Sequence, residues 1–390
     1  MHYVTRTIEA KVRLAAKQFP VIAVTGPRQA GKSTLLLRQF SQSKYFTFDD
    51  PVLQRQAKDD PGLFVENVPP FSVLDEVQYV PELLPYLKIQ VDRNRTQKGR
   101  YLLTGSQIFH LMAGLTESLA GRIALFELLP FSLAELEMQR ATSLEALFER
   151  LYNGFYPDPA VHGVDAKIFY GSYLHTYVER DVRQINLVKD LSQFQRFMEL
   201  LAARAGAILN VSDLARDCGL SHTTAQHWLS LLETSRIIFL LRPYFKNIGK
   251  RVIKAPKLYF VDTGLLAYLL KYPDHKTLQA GPVAAQIFEN CLIVELLKEK
   301  LHGQRLFELY YYRDTNKNEI DLIVEEARRL HLVEIKMRKN INADDARTLD
   351  KFESQNGKLH RWLISCSEHE IKLTASTKNL PWWKIHTILT

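Results

Sequence analysis

Residues Val21–Phe40 read VIAVTGPRQAGKSTLLLRQF, and this stretch decides the fold. The apolar run VIAV has the character of a buried strand, and STLLLRQF that of a helix. Between them lies Gly26-x-x-x-x-Gly31-Lys32-Ser33, the phosphate-loop pattern. Phosphate oxygens need many donors in a small volume. Glycines let a backbone wrap so that successive N–H groups face inward, and the new helix adds its positive end. The expected cradle is Gly26, Pro27, Arg28, Gln29, Ala30, Gly31, Lys32, Ser33 and Thr34. Lys32 is expected to reach the β- and γ-phosphates and the Ser33 hydroxyl to ligate Mg²⁺, so ATP and Mg²⁺ are the expected cofactors.

Working outward, FSVLDEVQ supplies a second buried strand, Phe71 to Leu74, that ends in Asp75-Glu76. Asp75 is expected to hold Mg²⁺ through water or Ser33, and Glu76 to polarise an attacking water. The adjacent glutamate favours an ATPase over a small-molecule kinase, whose nucleophile is the substrate's own oxygen. RYLLTGSQ forms a third strand ending in Thr104 and Ser106, of which Ser106 is favoured beside the γ-phosphate. KYFTFDD and RIALFEL complete five short strands alternating with helices, the pattern of a parallel α/β sheet. Arg122, in TESLAGRIALFEL, suits an arginine finger completing a neighbouring subunit's site, with a surface salt bridge as the plainer alternative.

The 390 residues leave room for two to four domains, and 46% hydrophobic with 24% charged residues is ordinary globular composition. Cys218, Cys291 and Cys366 form no CxxC or Cys/His metal pattern, which suits a reducing, cytoplasmic setting. The opening MHYVTRTIEAKVRLAAKQF has no apolar signal core, and no run reaches the roughly 18 apolar residues of a membrane span. The net charge of +8 invites a polyanionic partner.

The segment PFSLAELEMQRATSLEALFERLYNGFYPDP predicts helix broken at NGFYPDP, and YGSYLHTYVERDVRQI a further helix; together they read as a helical lid on the ATPase core. In VSDLARDCGLSHTTAQHWLSLLETSRIIFLLRPYFKN, Gly219 permits a sharp turn and Ser221 caps the next helix, which predicts a helix-turn-helix followed by a winged hairpin. Ser221, His222, Thr223, Gln226 and His227 would be exposed to phosphate or base edges. Lys246, Lys250, Arg251, Lys254 and Lys257 could follow a phosphate backbone. Winged helices also bind proteins, so a protein-recruiting role stays open.

Near the C-terminus, GPVAAQIFENCLIVELLKEK predicts a helix with Glu289 at or beside its buried stripe. FELYYYRDTNKNEIDLIVEE predicts a hairpin turning at Asn316–Asn318 with Asp321 on its second strand, and RLHLVEIKMRKN places Glu334 and Lys336 on one strand face. Helix-Glu, strand-Asp and strand-Glu-x-Lys in that order is the pattern of the PD-(D/E)xK nuclease fold. Asp321 and Glu334, with help from Glu289, would hold Mg²⁺ beside a scissile phosphate, and Lys336 would orient water. The helix ADDARTLDKFES and strand LHRWLISCS complete the unit.

Taken together, GPRQAGKST, LDEVQ, LTGSQ, SLAGR with PFSLAEL, YVERDVRQI, FVDTGL, FEN and EIDLIVE…VEIK resemble, in order, a large prokaryotic family of AAA-type ATPases with a C-terminal domain of formerly unknown function. The resemblance spans nearly the whole chain. It implies an ASCE P-loop core, a winged-helix segment and a nuclease-like end domain, and related machines work as rings. Arg180 and Arg183 are candidates for a second sensor arginine.

The expected organisation is a P-loop AAA-type core over 1–130, a helical lid over 131–190, a winged helix over 191–254 and a PD-(D/E)xK nuclease-like domain over 255–390. The expected function is a Mg²⁺-dependent ATPase that binds DNA, branched DNA included, and translocates on or remodels it. A homo-oligomer is expected, a hexamer among the options, without membrane contact. The alternatives are a nucleotide-gated switch with a relic nuclease domain and an ATP-regulated endonuclease.

Overall fold

Parallel strands cannot be joined by hairpins, so a chain that alternates short apolar runs with helices builds a sheet covered on both faces. In the computed structural model, which describes residues 3–105, 118–138, 143–177, 190–244, 255–314, 318–353 and 357–389, the first half does this. Its strands are β1 (Val21–Thr25), β2 (Lys44–Thr47), β3 (Ser72–Asp75), β4 (Tyr101–Gly105) and β5 (Ile123–Glu127), all parallel, in the order β2-β3-β4-β1-β5. Val21 and Ala23 join one apolar cluster while Ile22 and Val24 join another, so the two faces of β1 fill two separate cores. That is why VIAV carries no polar position. β4 lies between β1 and β3, so the carboxyl ends of these three strands meet at one edge of the sheet.

The second half is built on eight strands: β6 (Ile238–Pro243), β7 (Lys257–Phe260), β8 (Glu308–Arg313), β9 (Glu319–Glu326), β10 (Arg329–Lys336), β11 (Lys358–Ser365), β12 (Ile371–Lys372) and β13 (Thr377–Pro381). Their order is β12-β13-β11-β10-β9-β8-β6-β7. β8, β9 and β10 form an antiparallel meander, and β10, β11 and β13 run parallel. The helix Ala284–His302 is buried around most of its surface because it touches β5 of the first sheet as well as β7 and β10 of the second.

Two helices joined by a short turn, Val211–Cys218 and His222–Thr234, are capped at their first turns by Asn210 and Ser221. The hairpin β6–β7 follows them. β6 also pairs in parallel with β8, so this hairpin extends the sheet of the end domain instead of standing apart from it.

Two expectations change. Residues 131–138 form turns, not helix, because their backbone is claimed by side chains: Ser132 N–H donates to Glu135 at 2.9 Å, Leu133 N–H to Glu295 at 2.7 Å, and Lys298 donates to the Phe131 carbonyl at 2.7 Å. The helices Leu144–Asn153 and Ala166–Tyr177 bury Leu147, Phe148, Phe169 and Tyr170 in one core with Leu265, Leu266 and Ile287, not in the cores of the parallel sheet. The motif FVDTGL explains the attachment. Asp262 accepts from Leu265 N–H, Phe155 N–H and the Tyr170 hydroxyl, at 3.0, 2.7 and 2.7 Å. A Cβ on Gly264 would lie 2.5 Å from the Tyr170 ring, so only glycine fits there. Among the described residues no helix is long and apolar enough to cross a membrane.

Candidate functional site

The loop after β1 depends on its first glycine. Gly26 has φ 139°, and a Cβ there would sit 2.1 Å from the Leu128 carbonyl oxygen. Inside the loop, Lys32 is 4% exposed and donates to the carbonyls of Gly26 and Pro27 at 3.1 and 2.9 Å. The Ser33 hydroxyl donates to Asp75 at 2.6 Å. Thr104 bonds the same Asp75 oxygen and accepts the Glu76 N–H at 3.1 Å. Tyr45, from β2, donates to the other Asp75 oxygen at 2.6 Å; burial, then this bond, push its phenol above the ordinary range. Glu76 sits at φ 58° with its carboxylate held by the Gln78 amide. A hydroxyl beside a carboxylate, next to a buried ammonium in a backbone cradle, is a donor set that fits a hard divalent cation on polyphosphate.

Lys32, Ser33, Asp75 and Glu76 are thus brought to one edge, and Arg28 lies beside it, donating to the Tyr79 hydroxyl at 2.7 Å. Ser106 lies outside the described residues. Thr104, passed over in its favour, carries the contacts. The sign was in the register: Leu74 stands opposite Leu103, which puts Thr104 next to Asp75. Tyr45 and Gln78 had no sequence signature. Arg122 precedes β5 and so lies at the opposite end of the sheet from its own chain's loop, bonded to Asp92 at 2.7 and 3.0 Å.

Arg6, unnoticed in the sequence, braces the loop from below. Its guanidinium is buried and donates to the Ala30 carbonyl at 3.0 Å and the Leu129 carbonyl at 2.6 Å. Glu135 lies 3.2 Å from its Nε, and the Phe131 ring 4.4 Å beneath it. Burial disfavours the Glu135 charge, but Arg6 and then His302 hold its carboxyl well below the usual range. The Leu129 N–H donates to His302 Nε2 at 3.0 Å, so that nitrogen is an acceptor and the imidazole neutral; burial pushes its pKa the same way. Through His302 and Glu295, the helix Ala284–His302 is fastened to the segment that follows β5.

Glu289 lies on the helix Ala284–His302, Asp321 on β9, and Glu334 and Lys336 on β10, on the elements expected for them. Lys257 is not on a basic surface: its side chain is 4% exposed and its ammonium lies 2.5 Å from Glu319, 3.5 Å from Glu289 and 3.8 Å from Asp321. Tyr259 donates to Glu289 at 2.6 Å, and Ile335 N–H to Asp321 at 2.8 Å. Glu334 pairs with Lys336 at 2.7 Å, as their spacing allows. Burial, then the Asp321 charge, raise Glu289 and Glu334 above the ordinary carboxylate range. Burial opposes the charge on Lys257, yet Glu289, Asp321 and Glu319 outweigh it and raise its pKa. Among the described residues no three His, Cys, Asp or Glu side chains form a group that could hold a metal ion. Lys257 thus sits beside Glu289, Glu319 and Asp321, while Glu334 is paired with Lys336.

On the helix His222–Thr234, His222, Thr223, Gln226 and His227 are exposed while Ala225, Trp228 and Leu229 are buried, as the spacing required. Lys246, Lys250, Arg251 and Lys254, and the sensor candidates Arg180 and Arg183, lie outside the described residues.

A family model described as an AAA domain matches residues 18–137, and two domains of unknown function, DUF8612 and DUF4143, match 144–276 and 284–385. Two curated relatives, the uncharacterized proteins Rv2008c of Mycobacterium tuberculosis and Mb2031c of Mycobacterium bovis, are each 33% identical over 334 residues, 85% of this chain and 73% of theirs. Solved structures are more distant. The Walker-type ATPase PABY2304 of Pyrococcus abyssi is 14% identical, with 67% of this chain and 94% of that one covered and a TM-score of 0.41. AMPPCP-bound DnaA from Aquifex aeolicus is 14% identical, with 58% and 85% covered and a TM-score of 0.31. The chain belongs to the family of the two mycobacterial proteins, and its first domain is a P-loop domain of AAA type.

Proposed function

We propose that this chain is a Mg²⁺-dependent ATPase that binds DNA and couples turnover to moving along or remodelling it, as a homo-oligomer. The observation that carries the reading is the junction at the carboxyl ends of β1, β3 and β4, where Ser33, Asp75, Thr104 and Glu76 are joined by hydrogen bonds. Lys32 would exchange its carbonyl partners for the β- and γ-phosphates, and Ser33 and Asp75 would hold Mg²⁺. The bound Mg²⁺ supplies charge against the polyphosphate. Glu76, oriented by its left-handed backbone and Gln78, takes the proton of the attacking water. Thr104 ties the Asp75 carboxylate to the Glu76 backbone, so that metal holding and water activation move as one unit.

DNA binding is supported by the exposed polar face of the second helix and by the net charge of +8. The helix-turn-helix with its hairpin reads as a winged helix, and the consecutive order β8-β9-β10-β11 with the preceding helix reads as a PD-(D/E)xK-like unit. Arg122 faces away from its own loop, which suits completion of a second copy's site once it leaves Asp92. ATP turnover against single-stranded, duplex and branched DNA tests the proposal. Severalfold stimulation by DNA, lost in Lys32→Ala, is expected; slow turnover indifferent to every DNA would favour the nucleotide-gated switch instead.

A further inference from the structure

The end domain concentrates negative charge in one place. Glu289 comes from the helix Ala284–His302, Glu319 and Asp321 from β9, and Glu334 from β10. Carboxylates brought this close repel one another unless a cation lies between them. In a nuclease of this fold the cation would be divalent and exchangeable. Here the space is taken by a covalently attached one. We propose that Lys257 is the resident cation of this centre, so that the end domain is built to work without a metal ion.

Three observations converge. The first is contact: the Lys257 ammonium reaches three carboxylates within 3.8 Å, and the Tyr311 ring lies 5.8 Å beneath it. A divalent ion has ligand distances of about 2.0–2.6 Å, and an ammonium in its place excludes it by both volume and charge. The second is fixation. β7, which carries Lys257, is clamped to the helix at Tyr259 and Phe260. The Asn290 side chain accepts the Phe260 N–H at 2.8 Å and donates to the Phe260 carbonyl at 2.7 Å, while Tyr259 donates to Glu289 at 2.6 Å. β6 and the Ile208 bridge hold the other edges of the strand. The backbone that carries Lys257 is thus fixed, and its side chain is 4% exposed. The third is origin. Lys257 belongs to the hairpin after the helix-turn-helix, not to the helix–meander unit that supplies the acids. The same ion pairs therefore latch that hairpin onto the end domain, in agreement with the β6–β8 pairing. The inference does not rest on the ATPase reading.

The test titrates Mn²⁺ and Mg²⁺ alone into the nucleotide-free full chain and follows thermal unfolding and free Mn²⁺ by electron paramagnetic resonance. Wild type should show no metal-induced stabilisation that Asp321→Asn removes. Lys257→Met keeps the side-chain length without the charge. It should unfold at least about 5 °C lower and gain a Mn²⁺ site that restores the loss, and Lys257→Met with Asp321→Asn should lack that site. Lys257→Arg keeps the charge and should remain folded and metal-indifferent, which preserves the test if the methionine variant fails to fold. Metal stabilisation of wild type abolished by Asp321→Asn, or DNA incision by wild type with Mn²⁺ abolished by the same change, would overturn the proposal.

Discussion

Two lysines stand beside two carboxylate groups in this molecule, and they are held in opposite ways. Lys32 donates to neutral carbonyls of its own loop, and Asp75 nearby is met by the hydroxyls of Ser33, Thr104 and Tyr45. Every one of these partners can be exchanged for a phosphate or a cation at small net cost, because a neutral hydrogen bond contributes only about 1 kcal/mol. Lys257 instead lies among Glu289, Glu319 and Asp321, where removing one partner strands the others. Breaking such a buried pair costs about 3–5 kcal/mol. The same residue types therefore make an exchangeable site in one half and a structural lock in the other. The contacts seen at the two lysines differ in kind: backbone carbonyls for Lys32 and carboxylates for Lys257.

The sharpest way to break this contrast is to remove each lysine. Lys32→Ala should abolish ATP turnover while the melting temperature of the nucleotide-free chain moves little. Glu76→Gln should still bind ATP but hydrolyse it at least about 100-fold more slowly, followed as phosphate release. Lys257→Met should do the reverse: lose about 3–5 kcal/mol of stability by denaturant titration, with turnover per folded molecule nearly kept. Two lysine variants with the same effect on both readouts would dissolve the distinction.

A middle-sized effect concerns the brace between the two regions. Arg6→Gln removes the charge beside Glu135 and the support under Ala30, and should weaken ATP binding roughly tenfold with a smaller change in maximal rate. Arg6→Lys keeps the charge but cannot reproduce the fork that reaches both the Ala30 and Leu129 carbonyls, and should restore binding only in part.

The smallest effect is on pH. His302 has its folded pKa below the ordinary value, so it contributes stability above about 6.5 that is lost as pH falls, since protonation requires breaking the Leu129 N–H bond. Glu135 is likewise depressed in the folded state; its contribution is present above about 4.5 and is lost on further acidification. The His302 and Glu135 contributions should therefore fall in two stages as pH is lowered from 7, against an opposing gain from the raised Glu289 and Glu334, and His302→Gln should flatten the first stage relative to wild type. A denaturant series at pH 7, 6, 5 and 4 checks this; an unchanged first stage would mean that His302 is already protonated at neutrality.

Much of the nucleotide site could be read from the chain because its determinants are local. The glycine spacing, the apolar β1 and the Asp75-Glu76 pair each lie within a few residues and have a backbone reason to be there. Thr104 and Ser106 both stand at the end of the third strand; strand register brings Thr104 to Asp75, and Ser106 lies outside the described residues. Arg6 was not legible: its partners Ala30, Leu129 and Glu135 are distant in sequence, and a lone arginine near an N-terminus carries no pattern. Lys257 was misread for a related reason. It stands in a run of basic residues that suggests a surface, whereas its place on β7, beside Leu258 and Phe260, turns it inward to acids supplied 32 to 64 residues later. The helix expected over 131–138 failed because side chains from the distant helix Ala284–His302 claim its backbone.

The measurement that tests the central claim most directly is a Mn²⁺ titration of the wild-type chain with and without a non-hydrolysable ATP analogue, read by electron paramagnetic resonance. A single tight site that appears only with the analogue and disappears in Lys32→Ala is the result expected of one exchangeable and one locked lysine. A tight site present without nucleotide, and removed by Asp321→Asn, would contradict it.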